Sequence, residues 1–301
     1  MGQFFRGFEL TRGSQGCLIR GKYRASWRRS SDAAHAGGRE TRCVVATAAE
    51  SSVEDFERRL VARADPGTFS EDELDGLPYP VRRYLAKSIA PGTPLAGSAR
   101  LTMRGSIRLG RRWVRFSGHE LLSPHRGLVW AVRAAGLISG SDRYVDGEGS
   151  MDWKLLGRVP VLHADGPDIS RSAVGRVTAE AVWVPTALLP RFGVTWRVTD
   201  RHHIAASYLL DEAEHQVHLV LDDYARIRSV ALERWGDPDG TGKSEPHPFG
   251  FEATGHLTFD GLTIPSAGRA GWFFGTDRWP ESESFRFEIT DYHLVTEPAR
   301  Y

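Results

Sequence analysis

The sequence predicts a mainly β (α+β) protein: a curved antiparallel sheet or incomplete barrel wrapped around one internal helix, with short N-terminal helices. Three observations predict it. Apolar and polar residues alternate over many short runs after residue 96, as strands with one buried face require. Turn residues separate those runs, Gly110, Gly147 and Asp260-Gly261 among them, which favours hairpins over βαβ units. Within that region only 171–183 switches to helical spacing. About eleven or twelve strands result, and a sheet that large curls and leaves a concavity.

The chain divides into three parts. Residues 1–50 hold nine Lys/Arg against four Asp/Glu with poor periodicity, and read as a disordered leader. Both cysteines, Cys17 and Cys43, fall there, so neither a disulfide framework nor metal-ligand spacing is present. Residues 51–95 form a helical preface. Val53, Phe56 and Leu60 recur at helical spacing, Glu54/Arg58 and Asp55/Arg59 supply i,i+4 pairs, Ser70 with Glu73 has a capping-box pattern, and Pro80 can begin a short helix. Residues 96–294 form the antiparallel half-barrel domain.

Each strand of that domain has its own alternation. Leu101, Met103 and Gly105 open it, Trp113 to Phe116 return, and Leu128, Trp130 and Val132 follow. Asp142–Asp146 and Met151–Leu156 flank the Gly147-Glu148-Gly149 turn. In the helix, Val174, Val177, Ala181 and Val184 make one apolar face, and Pro185 stops it. Strands then resume at Val194, Ile204, Val217 and Ile227. Residues 236–248 read as a polar Gly/Pro-rich loop suited to a flap. Its Gly240-Thr241-Gly242-Lys243-Ser244 lacks the first glycine of a phosphate loop, since Asp237 stands there. The last strands carry Trp272-Phe273-Phe274 and Phe285, Phe287, Ile289.

Composition excludes several functions. The chain of 301 residues has a formal net charge of +1, so no global field recruits nucleic acid or an anionic membrane. No apolar run reaches the roughly 18 residues of a membrane span, and no apolar signal core follows the basic start, so a cytoplasmic location is expected. His163 and His202-His203 lack a third ligand at metal spacing, and no G-x-S-x-G motif occurs. No metal and no cofactor is expected.

The informative stretch runs from Asp142 to Trp196. Glu180 lies near the helix's apolar stripe, three residues before Trp183. A carboxyl among aromatics is harder to ionise and can donate a proton near neutral pH; the competing role is a pair with Arg143 or Arg176 that fastens helix to sheet. Asp142 and Asp146 share a strand face and can orient a base or bond turn amides. Tyr144, on the same face, can stabilise an oxyanion or satisfy a backbone carbonyl. Arg143 is a substrate-binding candidate. Trp130, Trp183, Trp196 and Trp272 can line an apolar cavity or pack the core.

The run Asp142-Arg143-Tyr144, Gly147, Gly149, Met151, then Leu155-Leu156-Gly157, then Glu180-Ala181, Trp183 and Pro185 to Pro190 resembles a bacterial family of unknown function, DUF6544. The resemblance covers roughly 75–292 and is most specific around Glu180. Family members usually carry a tryptophan soon after the proline of the 246–251 region and a Tyr-Trp pair in the last strand. Here those regions read Pro248-Phe249-Gly250-Phe251 and Ser284-Phe285-Arg286-Phe287. The resemblance implies no particular reaction. The overall expectation is a cofactor-independent enzyme of isomerase, cyclase or lyase type acting on an apolar small molecule. The alternative is a non-catalytic carrier or sensor of an apolar ligand such as a lipid or isoprenoid.

Overall fold

The computed structural model describes the backbone of residues 9–13 and 16–20, and both backbone and side chains of 55–61 and 67–296. In the leader, β1 (Glu9–Gly13) pairs antiparallel with β2 (Gly16–Arg20); the rest of residues 1–50, and the expected Glu54–Arg58 pair, lie outside the described residues. Residues 55–60 form α1. Asp55 pairs with Arg58 rather than Arg59, whose guanidinium goes to Asp146. A 3-10 turn covers Glu71–Leu74 with Ser70 before it, but the serine side chain makes no cap bond. The Glu73 carboxylate pairs instead with Arg191, which removes the expected capping box. Helix α2 (Tyr79–Ser88) buries Val81, Tyr84 and Leu85.

Thirteen strands then form one antiparallel sheet. The first arm is β3 (Ala99–Leu109), β4 (Arg112–Ser123), β5 (Gly127–Ala134), β6 (Ile138–Val145), β7 (Glu148–Leu155) and β8 (Val159–Asp165). The second is β9 (Thr195–Val198), β10 (His203–Leu210), β11 (Ala213–Leu221), β12 (Ile227–Gly236), β13 (Glu245–Phe259), β14 (Leu262–Trp272) and β15 (Glu283–Leu294). Each arm is a meander, and β15 pairs with β3 to join them. The order is β8-β7-β6-β5-β4-β3-β15-β14-β13-β12-β11-β10-β9, open at both ends. Alternation produces the pattern: Leu101 and Met103 on β3, and Leu128, Trp130 and Val132 on β5, are buried.

Between the arms runs α3 (Pro167–Glu180), continued by 3-10 turns over Ala181–Trp183, Pro185–Leu188 and Pro190–Phe192. The helix starts four residues before the expected 171, because Pro167 fits the first turn, where its missing N–H has no helical partner to lose. Its regular part ends at Glu180, three residues before the expected 183. Gly149 N on β7 donates to Ser170 Oγ at 2.8 Å, and Arg234 Nε on β12 donates to the Ser172 carbonyl at 2.9 Å. β7 and β12 stand second and tenth in the strand order. In a flat sheet they would lie about 38 Å apart, at about 4.8 Å per strand. One helix, about 10 Å across, touches both, so the sheet is strongly curved.

One further expectation changes. The loop of 236–248 is shorter, because β13 begins at Glu245 and pairs Pro246 and Pro248 with Trp235 and Glu233. Its β14 partner starts only at Phe249, so these prolines, which have no N–H, sit where β13 has one neighbour. The remaining turn is closed by Asp237, whose carboxylate accepts from the amides of Thr241 and Gly242. Those amides are therefore not turned towards a phosphate.

Candidate functional site

The site grows from a cross-strand row. Glu120 on β4 faces Trp130 on β5, which faces Asp142 on β6, which faces Met151 on β7. Inward alternation places both acids on the buried face, with Glu120 2% and Asp142 7% exposed. Arg176 of α3 lies over this row, its guanidinium 4.8 Å from the Trp130 ring centroid. It donates from Nη2 to Glu120 Oε2 at 2.9 Å, from Nη1 to Asp142 Oδ2 at 3.2 Å, and from Nε to Glu180 Oε1 at 2.9 Å. The second Asp142 oxygen accepts from Trp153 Nε1 at 2.9 Å.

Three acids surround one cation, and burial acts against the charged forms of two of them. Loss of solvent, together with the nearby Glu180, pushes the Glu120 carboxyl well above its ordinary range. Glu120 Oε1 and Glu180 Oε2 are both buried without a donor, and the two side chains adjoin as hydrogen-bonding partners. A proton shared between the two carboxyls would satisfy both oxygens. Burial also raises Asp142, against the opposing pull of Arg176 and the Trp153 bond. For Arg176, burial would lower the pKa, but the field of Glu180, Glu120 and Asp142 outweighs it and raises the value.

Next to this cluster a cleft opens between α3 and both arms, with about 930 Å³ of empty space including its open mouth. Met151, Ile169 and Ala173 line one side, and Trp183, Phe249, Phe251, Phe285 and Phe287 the other. Trp183 stacks on Phe251 with centroids 6.2 Å apart and meets Phe287 edge-on at 5.3 Å. Its Nε1 donates to the Pro265 carbonyl at 3.1 Å, so it turns no donor into the cleft. Four phenylalanines stand in the two regions where the family resemblance leads one to expect tryptophan and tyrosine, and a phenyl ring offers no N–H or O–H. This wall is correspondingly more apolar.

The expected site residues divide. Glu180, Asp142 and Trp130 meet at Arg176, and Trp183 lines the cleft. Arg143 also lines the cleft, 3.5 Å from Asp152 and 4.6 Å from the Phe56 ring. Trp272 lies behind the wall, 5.1 Å from the Arg234 guanidinium. Tyr144 is not brought in: its hydroxyl donates to Asp211 in the β10–β11 turn, and burial with that carboxylate raises its pKa. Trp196 is elsewhere too, its Nε1 donating to the Leu188 carbonyl and its ring edge-on to Tyr84 at 5.8 Å. Asp146 sits in the β6–β7 turn, paired with Arg59. His163 is held by Asp152 at 2.6 Å and Asp165 at 3.3 Å. Among the described residues no group of three or more His, Cys, Asp and Glu is placed to hold a metal ion.

Sequence reasoning missed Glu120 and Arg234. Both occupy inward positions of otherwise apolar alternations, Phe116-Gly118-Glu120 and Val230-Leu232-Arg234. A charge at a core position of a strand was the available signal.

Among the described residues no helix is long and apolar enough to cross a membrane. No curated protein matches the chain. Solved structures match the chain at low identity. A DUF1329 family protein from Desulfovibrio piger has a TM-score of 0.38 and 9% identity over 81% of this chain and 92% of its own. A LolA superfamily protein from Nitrosomonas europaea has 0.39 and 8%, over 73% and 93%. A putative outer membrane lipoprotein-sorting protein domain from Vibrio parahaemolyticus has 0.37 and 8%, over 66% and 86%. The model of the family of unknown function DUF6544 matches residues 67–283, and the chain belongs to that family.

Proposed function

We propose that the protein binds an apolar small molecule between α3 and the phenylalanine wall, and acts as a non-catalytic carrier or sensor. In this reading α3 plugs the concavity of the sheet and forms one side of the binding cleft. The observation that carries it is the division of labour in the cleft: one wall is apolar, and the acids beside it are bound to one another's partners. Glu180, Asp142 and Glu120 each accept a bond from Arg176, and the second Asp142 oxygen accepts from Trp153. Such a network fixes helix to sheet and ties every one of the three carboxyls to the same guanidinium. The acid/base enzyme of isomerase, cyclase or lyase type needs Glu180 to release a proton to the bound molecule, which would break that network.

Native mass spectrometry of freshly purified protein, followed by extraction, tests the reading. A retained apolar molecule is expected, and re-adding it to stripped protein should raise Tm by about 2–4 °C for each kcal/mol of binding linkage. Protein that comes through empty and gains no thermal stability from a panel of apolar ligands overturns it. Turnover of the extracted molecule that Glu180→Gln abolishes would return the enzyme reading.

A further inference from the structure

The cleft holds a second buried cation, one that no carboxylate among the described residues touches. Arg234 on β12 is 7% exposed and lines the cleft. Its one hydrogen bond among the described residues is Nε to the Ser172 carbonyl at 2.9 Å. Its guanidinium lies 4.5 Å from the Phe249 ring centroid and 5.1 Å from that of Trp272. No carboxylate among the described residues stands within ion-pair distance of it. Glu180 and Asp142 act on it only through their fields, opposed by Arg176. A guanidinium has five N–H donors, and four of these are left for something not supplied by this part of the chain. Aromatic faces offset part of the cost of burying the charge, but a buried charge is ordinarily paired.

We infer that the ligand is an anionic amphiphile, an aliphatic chain ending in a carboxylate, whose tail lies on the Trp183–Phe251–Phe287 wall and whose head is held by Arg234. The inference rests on the apolar-ligand reading and narrows it. The charge of the head follows from its surroundings. One free guanidinium faces it, and Glu180, Asp142 and Glu120 stand behind Arg176 close by. A second negative charge on the ligand would meet that acid cluster without a cation to match it, so a single carboxylate fits and a phosphate monoester dianion does not. The planar fork of the guanidinium also accepts a carboxylate through two parallel bonds. The close packing of Gly175 holds Arg234 in place: a Cβ there would lie 2.6 Å from Arg234 Cγ.

Binding of a fluorescent polyene fatty acid and of its methyl ester to the full chain separates the possibilities. Wild type is expected to prefer the acid by about tenfold or more, the range of hydrogen bonds to a charged group. Arg234→Gln should lose that preference while still binding the ester, and Arg234→Lys should keep part of it, with thermal melts checking that each variant folds. The wild-type comparison needs no variant, so a misfolded Arg234→Gln leaves the test standing. Equal affinity of wild type for acid and ester, or a preference that survives Arg234→Gln, overturns the inference and leaves the apolar cleft in place. Failure to bind either probe overturns this inference, and the apolar-ligand reading then stands or falls on the ligand panel.

Discussion

Arg176 supports three acids at once, so its removal leaves buried charge rather than a missing contact. Arg176→Met is expected to destabilise the fold by about 3–5 kcal/mol, as breaking a buried ion network does, measured by denaturant unfolding. A loss within about 1 kcal/mol would mean that the acids rearrange or all take up protons. Glu120 has the opposite character, since burial in the fold favours its protonated form. Its folded pKa lies well above the ordinary 4.5, so the folded state binds more protons than the unfolded state above that pH. The stability it contributes is fully present below about pH 4.5 and is lost as pH rises towards the folded value. Glu120→Gln keeps a neutral donor and acceptor in the same place. It should therefore gain on wild type as pH increases from 4.5, and unfolding curves across pH would show the two lines diverging. Parallel lines would place the shared proton elsewhere. At this scale Glu180 and Asp142 were legible, because acids beside tryptophan in apolar surroundings stand out. Glu120 and Arg234 were not, because their meaning depends on which strand lies beside which.

At the scale of elements, the tie between β7 and α3 depends on Gly149. Its backbone is ordinary, but a Cβ there would lie 2.7 Å from Ser170 Cα and 2.9 Å from the Ile169 carbonyl oxygen. Those atoms are backbone at the start of a helix and cannot swing aside. Gly149→Ala is expected to cost about 1–3 kcal/mol, the range for an inserted methyl in a tight contact. Thermal unfolding checks it, and an unchanged Tm would show that the helix start yields freely. Strands were legible where one face is buried, as in Leu101–Met103 and Ile204–Leu210. β8 escaped detection because it lies at the sheet edge and buries no residue fully, so it has no strict alternation. The first residues of β13 escaped for the opposite reason: Pro246 and Pro248 look like a loop, and only the offset between β12 and β14 lets them extend.

The whole molecule is two meandering arms closed by the β3–β15 seam, and α3 bridges them a second time. Met103 sits opposite Ile289 in that seam, with Leu101 opposite Tyr292, and all four side chains are buried. The strands at the ends of the order have one neighbour each. β8 contains Pro160 and β9 has only four residues, devices that keep an open edge from recruiting another chain. Stability should therefore be graded from seam to edge rather than uniform. Native-state hydrogen exchange measures this directly: amides of β3 and β15 should open only with global unfolding, while those of β8 and β9 exchange through local fraying. Equal protection at the edges would mean that something covers them in solution, such as a second copy of the chain. The alternative pattern, with one arm exchanging as a block before the other, would make the seam a hinge. Bound ligand would distinguish that case, because a molecule lodged between α3, β6 and β13 touches both arms and would slow exchange in both together.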